Sequence, residues 1–567
     1  CALGSTTNSG LIGVLNTLAF STPFVPAIWA FLQYEGFDKT ISKLSLEDGT
    51  PDGVFAAIAV FLQVYAHLLV VLDDSEIYDS GKPFRLHQIA RIVSTFKRPL
   101  FRFLWEREPD STSTFAQFLA DSTANLLKSL HDRSSRRPLC ASKVWLIEEA
   151  SRGQVLAEVR CQTARGQAII AGMPYCLHFK ERMRLFEQII REERDTHQPE
   201  GTKGLLVRIR RGFILEDGLQ NLDRLGERMK QRIVVVFVNS AGQDEPGIDM
   251  GGLFKEFWTE LSMLSFNPEF GLFKLTEAQL MYPSPLSQTI HGTDHIILFE
   301  FLGRILGKAL FEGITVQSQF SHFFLSFIRG NYNFLNLFND LMTLDPELYK
   351  NLMFLKTYDG DAADICLTFT VTEDHMGAQT EIELLPGGSL ISVSNFNKHR
   401  YIHLVAKYHL YDVIKKQAEA FTRGLWEVIN PRLLQMFNEP ELQILISGSV
   451  TGIDIEDLKR FTRYTGGYTG FDRNVRRFWK IIEGMTPKEQ GALLQFVTSC
   501  QRPPPLGFEA LNPPFTLHRV GVRNDDEKLP SASTCFNTLK LPTYSSEKVM
   551  KAKLLVSIFS GAGFEMS

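Results

Sequence analysis

The stretch LPSASTCFNTLKLPTY, residues 529–544, decides how the rest of the chain is understood. Pro530 and Pro542 bracket it, and the small hydroxyl residues Ser531, Ser533 and Thr534 lead into Cys535. That composition predicts an extended, exposed segment rather than a core helix. A lone cysteine is more often a small buried apolar group than a nucleophile, so packing and chemistry both stand as readings of Cys535. No histidine lies close to it in sequence, and the nearest, His518, sits in no recognisable catalytic pattern. A local Cys–His pair of the papain kind is not signalled.

Further out, the other cysteines (Cys1, Cys140, Cys161, Cys176, Cys366 and Cys500) are scattered, and no pair has CxxC spacing. A disulfide framework or a structural zinc site does not fit this pattern, and a reducing compartment does. No cofactor or metal ligand set is indicated. The net charge of −4 leaves no basic footprint, which argues against nucleic acid as the main partner. With 567 residues, 44% hydrophobic and 22% charged, the chain reads as a globular protein of three or four compact units. Its 44 Phe against 14 Tyr predict large apolar cores or contact surfaces. Because it begins with Cys1 rather than Met, we read it as a fragment or a processed product.

Residues 1–175 predict an α-helical region, with apolar residues at three-and-four spacing between polar breaks such as REPDSTST and HDRSSRRP. Packed helical support is the plain reading; a helical-repeat scaffold or substrate-recruiting region is the alternative. Residues 54–72 carry no formal charge and approach the length of a membrane span. Gln63 and His67 interrupt them and the flanks are acidic, so a buried helix is expected and membrane insertion is not. Residues 176–204 read as an amphipathic helix, FKERMRLFEQIIREER, and a linker. A mixed texture follows: VVVFVNS and ICLTFTV predict strands, and ELLPGGSLISVS predicts a hairpin turning at Pro386, Gly387 and Gly388. Gly303 and Gly307 share one face of a long apolar helix, which points to close helix packing. Near residue 450, SGSVTGIDIEDL reads as a hinge before a new helix capped by Asp454 or Asp457.

The stretch at 529–544 resembles the catalytic loop of HECT-type ubiquitin ligases, whose pattern is LPxAHTCFNxLxLPxY. Leu529, Pro530, Thr534, Cys535, Phe536, Asn537, Leu539, Leu541, Pro542 and Tyr544 match, and Cys535 lies 32 residues before the end. GIDMGGLFKEFW (247–258), NPEFGLF (267–273), FEFLGRILGKALFEG, LLPGGSLISVSNFNKHRYI and FVTSCQRPPPLGF (496–508) follow in family order. The last is similar to the branch of large ligases that carry an IQ element upstream. One departure stands out. The family's His two residues before the cysteine is Ser533 here, which leaves the acid–base assignment open.

The resemblance implies an α+β fold: a bilobal HECT domain preceded by an all-α region. Its larger, mostly helical N-lobe would span 205–450, and its smaller α/β C-lobe 451–567. It implies a ubiquitin-protein transferase in the cytoplasm and/or nucleus. Ubiquitin would pass from a conjugating enzyme to Cys535 as a glycyl thioester, then to substrate lysines, supporting proteasomal degradation. Thr534 is the nearest hydroxyl donor for the thiolate. Glu565, Asp525, Asp526 and Glu527 are candidates to deprotonate the incoming lysine. Phe564, fourth from the C-terminus, either folds back over the site or anchors packing. Leu352, Leu355, Tyr358, Ile365, Leu367 and Tyr401 match positions that contact the conjugating enzyme, with core packing the competing reading. Ser447, Gly448, Ser449 and Gly452 would let the small lobe swing.

Overall fold

A computed structural model of the chain describes residues 15, 18–19, 23–36, 53–106, 114–150, 153–199, 204–239, 241–245, 252–330, 337–375, 378–448, 452–498, 500–521 and 525–559. Every described element before Leu205 is a helix. The uncharged run at 54–72 forms α1 (Gly53–Leu69). Phe61, Leu62 and Tyr65 are wholly buried there, with the Phe61 ring 5.1 Å from Trp29 and 6.2 Å from Phe96. Its polar interruption is satisfied, since Gln63 Nε2 donates to Ser122 Oγ at 2.7 Å. Burial on several sides accounts for the apolar run. Among the described residues, no helix is long and apolar enough to cross a membrane.

The neighbouring helix α2 (Thr114–Arg136) closes the end of α1. Arg133 donates from Nη2 to the carbonyls of Leu69 (3.0 Å) and Leu72 (2.8 Å), acceptors that a helix end leaves without partners. The predicted amphipathic helix is α3 (Phe179–His197), whose inward face carries Met183, Phe186, Ile189 and Ile190.

The mixed region opens with a parallel pair, β1 (Leu205–Arg210) and β2 (Ile233–Val238), in register Leu205↔Ile233. Then come α4 (Gly252–Ser265) and a short hairpin of β3 (Phe273–Leu275) and β4 (Met281–Pro283). The long apolar helix α5 (His295–Glu312) is buried nearly all round. It is followed by α6 (Leu337–Leu344), α7 (Pro346–Thr357), the hairpin β5 (Thr370–His375)–β6 (Ala378–Glu383), α8 (Lys398–Leu410), α9 (Lys415–Val428) and α10 (Glu439–Ser447). Helices α5 and α9 cross with their backbones almost touching. A Cβ on Gly303 would lie 1.9 Å from the Phe421 carbonyl, and one on Gly424 would lie 1.9 Å from that of Glu300. Gly303 and Gly307 are packing glycines, as their spacing predicts; their partner Gly424 carries no such signal in the sequence.

Two local expectations need correction. ICLTFTV is not one strand: residues Ala362–Ile365 form a 3-10 turn, Cys366 takes a left-handed φ of 56°, and β5 starts only at Thr370. The arms of ELLPGGSLISVS do not pair with each other. Leu384 N donates to Phe369 O and Val393 N to Leu367 O, so residues 367–369 lie between them. An apolar run carries no information about its hydrogen-bonding partner, and a tertiary neighbour took both arms.

One hydrophobic core runs from Ala19 to Ile446, and a second from Leu458 to Leu554. The N-terminal helices therefore share their core with the mixed region. Buried ion pairs fasten the two: Arg329 bonds Glu439 at 2.5 Å and approaches Asp132 of α2 at 3.6 Å, while Arg136 bonds Asp340 at 2.5 Å. The second core packs helices, among them α11 (Pro487–Thr498) and α12 (Glu547–Phe559), on a four-stranded sheet. Its strand order is β7 (Arg463–Thr465), β8 (Thr516–Val520), β10 (Thr538–Pro542), β9 (Ser531–Ser533). Asp454, as expected, caps the first helix of this part by accepting from Asp457 N at 3.0 Å.

Candidate active site

Cys535 belongs to a 3-10 turn, Thr534–Phe536, that joins β9 to β10 at one end of the sheet. The turn closes on Asn537, whose φ of 47° is a left-handed conformation that asparagine tolerates better than most residues. Asn537 is 1% exposed. Its Nδ2 donates to Pro513 O at 2.6 Å, its N donates to Thr534 O, and its O accepts from Thr516 N at 2.9 Å. The Asn537 N bond closes the turn itself, while one side-chain bond to Pro513 and one backbone bond from Thr516 tie it to the neighbouring strand and the residues leading into it. The apolar letters of the motif lie beneath it: Leu539, Leu541 and Tyr544 are buried, and Tyr544 Oη donates to Lys528 O at 2.7 Å. They hold the turn from below, whereas Phe536 within it is 54% exposed. Ser533, which stands where the family's His is expected, ends β9 opposite Thr538.

The loop acids are placed away from that turn. Asp525 N donates to Thr543 O, and Asp526 accepts from Ser545 N and Oγ. Both contacts lie past the far end of β10, five residues or roughly 16 Å from the turn at about 3.3 Å per residue. The Ser545 bonds also hold Asp526 below the usual carboxylate range, which makes it a poorer base. The element that does come within 8 Å (Cα–Cα) of the turn from the other core is α4. It carries Glu256, bonded to Arg211 at 2.7 Å, and one turn on, Glu260. Burial and the nearby Glu256 charge raise the Glu260 pKa. Nothing in the spacing of α4 marks these acids, because only the packing of the two cores brings their helix to the turn. His518 is engaged elsewhere, with Nδ1 3.0 Å from Thr465 Oγ1. Phe564 and Glu565 lie outside the described residues.

At the junction of the cores, Ser447 Oγ accepts from Arg502 Nη1 at 3.0 Å. Gly448 has φ 78°, and a Cβ there would meet Pro503 O at 2.8 Å, so the observed join needs glycine. Ser449 lies outside the described residues, and Gly452 stands in open space with nothing within 4 Å of a Cβ.

Of the six residues matched to conjugating-enzyme contacts, Leu352 (4% exposed), Leu355 (3%) and Tyr401 (8%) belong to the large core. Tyr358, Ile365 and Leu367 are half-buried. Helical geometry explains the first two, because positions three apart on α7 share its inward face. The exposed apolar side chains beside them were not singled out from the sequence: Phe354 is 61% exposed, Leu390 89% and Phe396 97%. Phe354 and Tyr358 lie ring to ring at 5.5 Å. Asn395 Nδ2 donates to Gly360 O and Lys398 Nζ to Tyr358 O, each at 3.0 Å, which fastens the Phe396 segment next to them. The missed signal was an aromatic residue in a polar loop, SNFNKH.

Two cores joined at a glycine, with the cysteine turn of the smaller within 8 Å (Cα–Cα) of a helix of the larger, define a two-part protein. A family model for the HECT domain (ubiquitin-transferase) matches residues 259–567. The chain is 34% identical over 582 residues to E3 ubiquitin-protein ligase UPL6 of Arabidopsis thaliana, covering 98% of this chain and 56% of that protein. It is 36% identical over 593 residues to ubiquitin-protein ligase E3B of Mus musculus, covering 98% and 55%. With E3 ubiquitin-protein ligase HUL5 of Saccharomyces cerevisiae it shares 35% identity over 638 residues, covering all of this chain and 68% of that protein. This chain belongs to the HECT family of ubiquitin-protein ligases. It spans about half the length of the first two of these relatives, and the similarity extends across its N-terminal helices.

Proposed function

We propose that the chain accepts ubiquitin from a conjugating enzyme as a thioester on Cys535 and transfers it to a lysine of a protein substrate. The observation that carries this reading is the Cys535 turn itself, held on a buried lattice at the end of the sheet that faces α4. In the first step the Cys535 thiolate attacks the donor's thioester carbonyl, and the donor's cysteine leaves as a thiolate. One thioester replaces another, so the step is nearly neutral. In the second, a lysine amine attacks, an amide forms, the C–S bond breaks and a base takes the surplus amine proton. That base is better sought on α4, at Glu260, than in the loop at 525–527. The test is a charging assay: purified chain with a charged donor should give a ubiquitin adduct that reductant removes. No such adduct across a full panel of donors sinks the reading.

The larger core would receive the donor on the Phe354, Tyr358, Leu390 and Phe396 patch. Central aromatic anchors commonly contribute about 2 kcal/mol or more to an interface. Phe396→Ala should therefore lower charging roughly tenfold or more at low donor concentration, with lysine discharge of the charged enzyme unchanged. Equal charging by the variant would move the docking site elsewhere.

The smaller core would reposition between the two steps by rotating about residues 448–452. Gly452→Pro, in open space, should slow transfer by about tenfold while both cores melt as before. Turnover equal to wild type would remove the hinge.

A further inference from the structure

The side of α7 that faces away from the docking patch is gripped by the N-terminal helices. Phe354 and Lys356 are two residues apart on α7, which turns their side chains about 200° from each other. Phe354 faces solvent. The Lys356 side chain is 7% exposed and points into the segment that follows α1. Its Nζ donates to Val71 O at 2.8 Å, to Asp73 Oδ2 at 3.0 Å and to the Glu76 carboxylate, and lies 5.4 Å above the Phe338 ring. Asp73, 1% exposed, is itself fixed by bonds from Ser75 Oγ and Glu76 N at 2.6 and 2.9 Å.

The same segment holds α6. Asn339 Nδ2 donates to Asp74 Oδ1 at 3.0 Å, and Arg136 of α2 pairs with Asp340. Arg133 in turn bonds the carbonyls of Leu69 and Leu72, so the gripping segment is anchored to the end of α2. A buried ammonium in this position is costly unless paired, and here the hydrogen-bonding partners Val71, Asp73 and Glu76 all come from the N-terminal region. The position of α7 is thus tied to a region outside the family-matched span of 259–567.

We infer that the N-terminal helical region is a brace for the conjugating-enzyme docking helix, with Lys356 as the positioning residue through which it acts. This rests on the ligase reading above. The brace sets the orientation of Phe354 and Tyr358 before the donor arrives, so the donor meets a preformed surface and loses less to ordering on binding. Its effect belongs to donor binding and not to the chemistry at Cys535.

The experiment measures the rate of Cys535 charging against donor concentration, and separately the discharge of charged enzyme onto free lysine. Lys356→Met keeps the apolar stem and removes the charge; Lys356→Arg keeps both charge and reach. The brace predicts that the Met variant raises KM for the donor at least about fivefold with kcat and discharge within twofold of wild type, and that Arg restores most of the loss. An unchanged KM overturns the inference. So does a parallel fall in KM-independent discharge, which would mark Lys356 as merely structural. Amide exchange on the wild-type chain gives a check that needs no variant: residues 69–79 and 346–357 should exchange as one protected unit. Fast exchange at 346–357 alone overturns it. A wild-type chain that never charges would instead sink the ligase reading, while the exchange result would still stand or fall by itself.

Discussion

Cys535→Ala should form no reductant-labile ubiquitin adduct, with transfer to lysine falling by at least about a thousandfold. The expectation follows from the covalent step, since the adjacent Ser533 and Thr534 hydroxyls are far weaker nucleophiles than a thiolate. Cys535→Ser sharpens it. An alkoxide is far harder to form than a thiolate, so the variant should either stay uncharged or hold ubiquitin as an oxygen ester that resists reductant and yields to hydroxylamine. Both variants should fold. The turn is fixed by Asn537 on Pro513 and Thr516 and by the buried Leu539, Leu541 and Tyr544, none of which depends on the thiol. The remaining described cysteines make a useful internal control. Burial pushes the Cys176 thiol up to about 12 and Cys140 up to about 11, so neither offers thiolate near neutral pH. An adduct persisting in the alanine variant would shift the chemistry to the exposed Cys161 or Cys366.

The largest loss of stability is expected from Glu439→Gln. Glu439 and Arg329 are each 2% exposed and bonded at 2.5 Å, with Ser326 Oγ donating to the same carboxylate oxygen at 2.8 Å. Removing one charge leaves the Arg329 guanidinium buried, with Asp132 at 3.6 Å and no hydrogen-bonded carboxylate of the kind Glu439 supplies. Breaking such a pair typically costs about 3–5 kcal/mol. Urea unfolding at pH 7 should show the free energy of the large-core transition lowered by that amount, read as a lower midpoint at unchanged slope, and an unshifted midpoint would contradict the argument. The pH dependence has a definite sign. Burial works to raise the Glu439 pKa, but the Arg329 and Arg136 charges outweigh it and depress the folded value below the ordinary 4.5. The wild-type contribution is therefore complete above that pH and is lost as pH falls below it. The difference between wild type and Gln variant should shrink along that acid arm.

The cysteine turn and the proposed docking surface differ in how much of their structure the sequence makes legible, for physical reasons. The turn at Cys535 is built largely from residues within about ten positions of it, with its cap, two strands and buried tyrosine in one short stretch and only Pro513 and Thr516 reaching in from further off. The docking surface does not. Leu352, Leu355 and Tyr401 have apolar character in common with Phe354, Leu390 and Phe396, and hydrophobicity by itself cannot say which are covered. Coverage came from helices far away in sequence, as the bond between Lys356 and Asp73 across 283 positions shows. The loop acids at 525–527 illustrate the reverse error. They are close to Cys535 in number, yet a strand runs between them and the turn.

Read by itself, the sequence determined the family and the scaffold of the cysteine turn, because those are local patterns of small, capping and alternating apolar residues. It also marked Gly303 and Gly307 as packing glycines, though not the helix α9 that they meet. Tertiary structure decided that the N-terminal helices share a core with the mixed region, which helix of the larger core approaches the cysteine turn, and which aromatic residues remain on the surface. Burial and pairing are set by what folds against a residue, and that partner is often hundreds of residues distant.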